Sequence, residues 1–196
     1  MSEKATFEAG DNCDIAGTAT VGEGGTDVAT TQLGDDATIR GGTIIYGGVD
    51  VGDDFTTGHH ALVRSGTTAG DRVLVGSQAV LDGNLVVGSD VSLQTGTYLP
   101  PETVVGDDVF FGPHAVVTND PYPVRAASEL VTTTVESGVS VGANATLLPG
   151  VTVGERSFIA AGAVVTEDVP PETLAVGTPA RHETLPSELQ GPNEFD

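Results

Sequence analysis

Apolar residues recur at every sixth position along most of the chain. From Leu33 to Val117 the sixth-residue positions carry aliphatic or aromatic side chains, and Thr57 is the one polar member of the series. An amphipathic helix would repeat every 3.6 residues and a half-buried strand every two, so neither explains the pattern. A six-residue period predicts a β-helix, in which each hexad supplies one short strand. The series is Leu33, Ile39, Ile45, Val51, Thr57, Val63, Ala69, Val75, Leu81, Val87, Leu93, Leu99, Val105, Phe111 and Val117.

Every third hexad is alike, which makes eighteen residues the structural unit. One turn position is glycine in five successive units, and the residue after it is usually aspartate. The two other turns of each unit have different compositions. We therefore predict an all-β fold in which parallel coils of three strands stack as a triangular prism, about 4.8 Å apart. The glycine column is Gly34, Gly52, Gly70, Gly88 and Gly106.

Breaks in the period predict the organisation of the chain. Asp27 is out of phase, and a Pro- and Asn-containing stretch follows Val117 before the hexads resume. We predict an irregular N-terminal cap over residues 1–32, coils over 33–117, an extruded loop over 118–134, further coils over 135–181, and a mobile polar tail over 182–196.

The charge balance excludes several classes of partner. The chain has 28 acidic and 7 basic residues, for a formal charge of −21. This charge argues against binding to a nucleic-acid backbone or an anionic membrane surface. An acidic shell that is nearly free of lysine suits a very salty cytoplasm, where ions screen self-repulsion. In this interpretation the aspartate column (Asp35, Asp53, Asp71, Asp107) consists of solvated turn residues.

Compartment and cysteine content are consistent with a cytoplasmic protein. No stretch approaches 18 consecutive apolar residues, and the first residues lack the layout of a signal peptide. Cys13 is the single cysteine, which excludes an internal disulfide and a multi-cysteine zinc site.

Polar groups that could do chemistry concentrate in the second of the three turns. Three of the four histidines, His59, His60 and His114, fall there together with Gln78 and Gln94. They are either solvated turn residues or part of a site. In the third turn, Arg64 and Asp82 occupy equivalent places on adjacent coils, where a structural ion pair is the simpler interpretation. Asn84 aligns with Asp120 and leads towards the predicted loop.

Three segments resemble a known family. Residues 147–181, LLPGVTVGERSFIAAGAVVTEDVPPETLAVGTPAR, resemble the C-terminal coils of sugar and serine acetyltransferases. Residues 91–123 contain G-P-x-x-x-x-T-N-D-x-Y-P, which resembles the branch that N-acetylates nucleotide-linked amino sugars. Residues 58–64, GHHALVR, match the place where that branch has Trp-His-Phe or Trp-Gln-Phe before an arginine. The chain departs from the branch in having Gly58 instead of Trp and Val124 after Tyr-Pro.

The resemblance implies a left-handed parallel β-helix that forms a homotrimer with active sites between subunits. It implies acetyl-CoA as co-substrate, no metal, and a nucleotide-linked amino sugar as acceptor. His59 and His60 are the candidates for the catalytic base. Candidate substrate-binding residues are Gln78, Asn84, Gln94, His114, Asn119, Asp120, Tyr122 and Arg125. Candidate CoA-binding residues are Gly142, Ala143, Ala160, Ala161, Gly162 and Arg181.

Other functions are compatible with the same repeat. Within the class, the acceptor could be a sugar hydroxyl or serine. A γ-type carbonic anhydrase would bind zinc through histidines, but His60 and His114 lie three coils apart, about 14 Å. Because Zn–N bonds are about 2.0 Å long, these two cannot share a metal within one chain. A trimeric scaffold without catalytic activity is the remaining alternative.

Overall fold

Two-residue strands make up nearly all of the regular structure. The computed structural model describes residues 6–23, 29–127 and 129–195. In chain order the strands are β1 (Phe7–Ala9), β2 (Asp14–Ile15), β3 (Thr20–Val21), β4 (Thr31–Leu33), β5 (Thr38–Ile39), β6 (Ile44–Ile45), β7 (Asp50–Val51), β8 (Thr56–Thr57), β9 (Leu62–Val63), β10 (Thr68–Ala69), β11 (Leu74–Val75), β12 (Val80–Leu81), β13 (Val86–Val87), β14 (Ser92–Leu93), β15 (Tyr98–Leu99), β16 (Val104–Val105), β17 (Phe110–Phe111), β18 (Val116–Val117), β19 (Thr134–Val135), β20 (Ser140–Val141), β21 (Thr146–Leu147), β22 (Thr152–Val153), β23 (Phe158–Ile159), β24 (Val164–Val165), β25 (Thr173–Gly177) and β26 (Ala180–Thr184). A 3₁₀ turn spans Ser187–Leu189.

The strands form three parallel sheets, which confirms the predicted prism. The first sheet contains β1, β4 and every third strand to β22, the second runs from β2 to β26, and the third runs from β3 to β24. Partners in the central coils are eighteen residues apart, as in Thr68↔Val86. We call the turns from first to second, second to third and third to first sheet the first, second and third corners.

The core is filled by two residues from each hexad rather than one. The predicted inward column is buried, with Ala69 only partly so. A second inward position lies two residues earlier and closes each corner. The six-residue series predicts one buried column per hexad, whereas the structure has two. Members of the second column include Ala37, Val49, Phe55, Ala61, Val73, Ala79, Leu85, Val91, Val109 and Ala115, all buried.

Thr57, the one polar member of the inward series, is also buried, and its hydroxyl is satisfied. Its Oγ1 lies 3.2 Å from Thr43 Oγ1 and accepts a hydrogen bond from the Arg40 backbone N–H at 3.0 Å. A buried hydroxyl is tolerated when it has such partners.

Every turn between residues 34 and 115 and between residues 136 and 163 contains a residue with positive φ, three positions after the buried strand residue. Gly42 (φ 76°) and His60 (φ 59°) illustrate the two solutions, a glycine or a polar side chain. Glycine adopts this conformation without steric cost, and short polar side chains tolerate it better than β-branched ones. The side chain at this position therefore decides which chemical groups a corner presents.

The N-terminal segment is more regular than the predicted cap. Strands β1, β2 and β3 pair in parallel with β4, β5 and β6, so residues 7–21 form a coil. The partners are 24 residues apart, as in Phe7↔Thr31, because six extra residues lie between β3 and β4. This insertion hid the coil from an eighteen-residue alignment. Asp27 lies outside the described residues.

The C-terminal segment differs from the predicted tail. Strand β26 pairs antiparallel with β25, with Val176 opposite Arg181, and extends the second sheet. Four of its five residues are exposed, so the strand lacks the apolar pattern that would predict it. Beyond it, Asn193 hydrogen-bonds to the body of the prism.

The long loop leaves the prism at the third corner, between β18 and β19. The register across it rises from eighteen to thirty residues, as in Val104↔Thr134, and the coils then continue. In the described ranges, no helix combines the length and apolar character needed to cross a bilayer.

Candidate functional site

The second corner forms one continuous edge that gathers two of the predicted groups. Its successive turns are residues 16–19, 40–43, 58–61, 76–79, 94–97, 112–115, 142–145 and 160–163. The candidate acid–base and acceptor side chains His59, His60, Gln78, Gln94 and His114 lie on the lower and middle coils. The predicted CoA positions Gly142, Ala143, Ala160, Ala161 and Gly162 continue the same edge upwards.

His59 is held by backbone and hydroxyl contacts from the coils on both sides. Its Nδ1 lies 3.2 Å from the Gly41 carbonyl oxygen, one coil below. Its backbone N–H donates to Ser77 Oγ, one coil above, at 3.2 Å. With the proton on Nδ1 the ring donates to Gly41, which leaves Nε2 as an exposed acceptor. The eighteen-residue register places Ser77 in the column of His59, but its contact with the His59 backbone is seen only in the structure.

His60 and His114 are placed by glycines one coil below them. Both have positive φ, 59° and 58°. A Cβ at Gly42 would lie 2.2 Å from His60 Nδ1, and a Cβ at Gly96 would lie 2.3 Å from His114 Nδ1. The two histidine rings therefore fit only because those glycines have no side chain. The centroids of the His59 and His60 rings are 6.4 Å apart, and the ring planes are inclined to each other by 46°.

Amide side chains complete the second corner. Gln78 is exposed with φ 59°, while Gln94 is partly buried and donates through Nε2 to Ser92 Oγ at 2.8 Å. Asn144, one coil above His114, also has positive φ and is exposed. The sequence pattern does not reveal Asn144, because the extruded loop shifts this residue out of the eighteen-residue columns.

The third corner contains a ladder of four side chains across adjacent coils. Arg64 lies over the Tyr46 ring, 5.8 Å from its centroid, and pairs with Asp82 through Nη1 and Oδ1 at 3.0 Å. Tyr98 OH donates to the other Asp82 oxygen at 2.8 Å. Burial, followed by this hydrogen bond, raises the pKa of Tyr98 to about 12. The predicted ion pair between Arg64 and Asp82 is confirmed.

Loop residues are fixed to the third corner and to each other. Asn119 Nδ2 donates to the Pro101 carbonyl at 2.9 Å, and the backbone carbonyl of Asn119 accepts the Val131 N–H at 2.8 Å. Asp120 Oδ1 accepts the Tyr122 N–H at 2.9 Å. Tyr122 and Arg125 are exposed at the surface of the loop, and Asn84 is exposed on the corner below.

Within one chain, the loop and the histidines are not brought together. The loop leaves at the third corner and the histidines lie on the second, so the third sheet separates them. The outer face of that sheet is a mostly apolar column that leads upwards from Ile44. Its members are Ile44, Leu62, Val80, Tyr98, Val116, Thr146 and Val164.

Most described arginines are committed to carboxylates. Arg40 pairs with Asp14, Arg64 with Asp82, Arg72 with Asp90 and Arg156 with Glu172. The hydrogen bonds from Arg72 hold the pKa of Asp90 below its usual value. Among the described residues, Arg125 on the loop and Arg181 on β26 have no carboxylate within 4.0 Å. Within the same ranges, no three His, Cys, Asp or Glu side chains are grouped as a metal site.

A family model matches part of the upper coils. Residues 132–167 match the family model described as bacterial transferase hexapeptide (six repeats). A comparison with curated protein sequences finds no match.

Solved structures agree with the fold of the whole chain. LpxA, a UDP-N-acetylglucosamine acyltransferase from Bacteroides fragilis, superposes with a TM-score of 0.71 at 16% identity, over 92% of this chain and 70% of LpxA. The chain is a left-handed parallel β-helix built from hexapeptide repeats. AntD, an N-acyltransferase from Bacillus cereus crystallised with dTDP and coenzyme A, gives a TM-score of 0.59 at 15% identity, over 92% of this chain and 85% of AntD. A UDP-N-acetylglucosamine acyltransferase from Campylobacter jejuni gives 0.57 at 17% identity, over 88% and 73%. At these identities the likeness concerns the fold alone.

Proposed function

We propose that this hexapeptide-repeat protein transfers an acetyl group from acetyl-CoA to the amino group of a nucleotide-linked amino sugar. The observation that carries the proposal is the second corner. There His59, whose ring is oriented by the Gly41 carbonyl, lies on the same edge as the small residues Gly142, Ala143, Ala160, Ala161 and Gly162. The transferase family match and the T-N-D-P-Y-P loop support it. AntD, which has the same fold, is an N-acyltransferase whose structure holds a nucleotide and coenzyme A.

His59 is the candidate base because the Gly41 carbonyl selects one tautomer of its ring. The exposed Nε2 accepts a proton from the acceptor amine as the nitrogen attacks the thioester carbonyl. The C–S bond then breaks, and the CoA thiolate leaves and takes up a proton. Backbone N–H groups near the corner glycines are candidate donors to the transient oxyanion.

The donor is proposed to lie along the upper part of the second corner. Small side chains at Gly142, Ala143, Ala160, Ala161 and Gly162 leave space there, and a Cβ on Gly162 would meet nothing within 4 Å. Arg181, which lacks a carboxylate partner among the described residues, is the candidate contact for the CoA phosphates.

Coil spacing makes His114 a competitor for the role of base. Gly142 lies one coil above His114 but four coils above His59, about 19 Å along the prism axis. A thioester near Gly142 is therefore closer to His114, whereas a donor extended along the edge is needed to reach His59. The variants described below distinguish these two arrangements.

A homotrimer would complete the site. The apolar outer face of the third sheet is bordered by the histidine corner on one side and by the loop on the other. A second prism packed against this face would bring the loop of one subunit towards the histidines of another. Sedimentation in molar salt should give a trimer, and a monomer would remove this part of the proposal.

The test is release of CoA thiol from acetyl-CoA with a panel of nucleotide-linked amino sugars and their hydroxyl analogues. His59→Ala should lower kcat about a hundredfold or more with little change in the KM for acetyl-CoA. His60→Ala and His114→Ala are assayed in parallel, and His182→Ala, on β26 and outside the turns of the second corner, shows the effect of removing the fourth histidine.

Each outcome has a defined meaning. If His114→Ala alone gives the large loss, the base is His114. If only the hydroxyl analogues react, the protein is an O-acetyltransferase. If no acceptor releases thiol, or if bound zinc supports hydration of carbon dioxide instead, the proposed function is wrong.

A further inference from the structure

An open groove of about 870 Å³ lies on the outer face of the second sheet. Leu74 and Phe110 supply its apolar floor, and Asn193, Glu194 and Phe195 from the C-terminal segment form an outer wall. The second-corner histidines do not line it, but Gln94 does. The groove is thus a separate space that meets the candidate site at one residue, and its volume is typical of small-molecule sites.

The C-terminal wall is anchored rather than loosely apposed. Asn193 Nδ2 donates to the Asp108 carbonyl at 2.6 Å and to the Val139 carbonyl at 3.2 Å. Its Oδ1 accepts from Ser140 Oγ at 2.5 Å. These three contacts hold the following residues at the groove, where Phe195 remains 41% exposed.

The polar rim disfavours anions. Arg72 is bound by both oxygens of Asp90, so its charge is neutralised. Asp54 and Glu194 also line the groove and have no ion pair among the described residues. Ser92 and Gln94 supply a hydroxyl and an amide, which already bond to each other and retain further hydrogen-bonding capacity. The groove therefore offers apolar rings and hydrogen-bonding groups with a net negative rim.

We propose that the groove binds the heterocyclic base of a nucleoside between Phe110 and Phe195. A planar heterocyclic base has a full π face that stacks on phenylalanine rings. The edge of the base exchanges hydrogen bonds with Gln94 and Ser92, and charged phosphates lie outside the acidic rim. The proposal rests on the proposed function only in assigning this base to the nucleotide-linked acceptor.

The experiment is a calorimetric titration of the full-length chain in molar salt with uridine, adenosine, UMP and glucosamine. A nucleoside should bind, and Phe110→Ala should weaken its binding about tenfold or more. Phe158→Ala is the matched control, because Phe158 also faces outward and is partly buried on the second sheet but does not line the groove. Its affinity should stay within about twofold of the unsubstituted chain. Asn193→Ala should also weaken binding, because it releases the wall that carries Phe195.

Several results would overturn the inference. They are no heat with either nucleoside, equal weakening by Phe110→Ala and Phe158→Ala, or binding of glucosamine alone. Circular dichroism and thermal unfolding of both Phe variants verify that they are folded. Because binding is measured without turnover, loss of the acetyl-transfer proposal would leave a positive nucleoside result standing. Turnover without nucleoside binding would remove only the groove assignment.

Discussion

At the scale of single residues, the corner position with positive φ determines what each coil displays. On the second corner it is glycine at 42, histidine at 60, glutamine at 78 and glycine at 96. A polar side chain at this position rests on the coil below it, so a glycine beneath a histidine is a packing requirement as well as a conformational one. The eighteen-residue register predicts the histidine column but not this pairing, because the register alone does not show the direction of a side chain.

Replacing Gly42 by alanine should displace the His60 ring. The new Cβ would lie 2.2 Å from His60 Nδ1, in addition to the cost of a positive φ, about 1 kcal/mol. Gly162→Ala is the matched control, because Gly162 has φ 71° on the same corner with open space around it. Urea unfolding should show a larger loss for Gly42→Ala. Equal losses would mean that the ring moves aside without cost.

Tyr98 should make the stability of the fold sensitive to alkaline pH. Its folded-state pKa of about 12 lies above the ordinary value of 10.0. The folded state therefore holds the proton more tightly, and this contribution is complete below pH 10 and is lost as pH rises towards 12. The free energy of unfolding should fall more steeply over this range in the unsubstituted chain than in Tyr98→Phe. Parallel curves would contradict the assignment.

At the scale of elements, a ladder of side-chain hydrogen bonds along the first corner connects each coil to the next. Asp35 Oδ1 accepts the Asp11 N–H, Asp53 Oδ1 the Asp35 N–H, and Asp71 Oδ1 the Asp53 N–H, at 2.7 to 3.0 Å. Ser89 and Ser137 serve as rungs at the equivalent positions. The aspartates are therefore more than the solvated turn residues that the sequence suggested, since each supplies an acceptor to the coil below.

Asp53→Ala and Asp53→Asn should separate the hydrogen bond from the charge. Alanine removes the acceptor of the Asp35 N–H and should cost about 0.5–1 kcal/mol. Asparagine keeps an oxygen in place and removes one charge from a stack of like charges, so in dilute buffer it should be neutral or stabilising. Melting temperatures measured in dilute and molar salt provide the comparison. A loss with asparagine as large as with alanine would show that the carboxylate charge is needed.

The predictability of each element follows from the strength of its pattern. The hexad repeat predicts the strands of residues 33–117 and the return of the coils after the loop, because the buried residues recur at a constant interval. The first coil was missed because six additional residues interrupt that interval. Strand β26 and the C-terminal wall were missed because hydrogen bonds hold them, through the β25 backbone and the Asn193 side chain, rather than a periodic apolar face. The position of the loop relative to the histidines follows from the spatial order of the corners, which the structure provides.

At the scale of the whole molecule, a formal charge of −21 must be accommodated on a prism whose coils are about 4.8 Å apart. The Debye length is about 10 Å at 0.1 M salt and about 3 Å at 1 M, so only molar salt screens charges on adjacent coils. We expect the melting temperature to rise strongly between these two conditions. A variant with Asp35, Asp53 and Asp71 all replaced by asparagine should show a smaller rise. If neither chain responds to salt, self-repulsion does not limit the stability of this fold.

The register of thirty residues across the loop has a consequence for how this protein changes over evolutionary time. The loop between β18 and β19 adds twelve residues to the usual register of eighteen. The strands after the loop still pair in parallel with those of the coil below it, as they would if the loop were absent. Insertions or deletions at the tip therefore leave the frame above unshifted, whereas a one-residue change inside a coil would turn buried side chains outward. The coils therefore form a support whose alignment does not depend on the length of the loop, and changes in the loop need not disturb the packing of the prism.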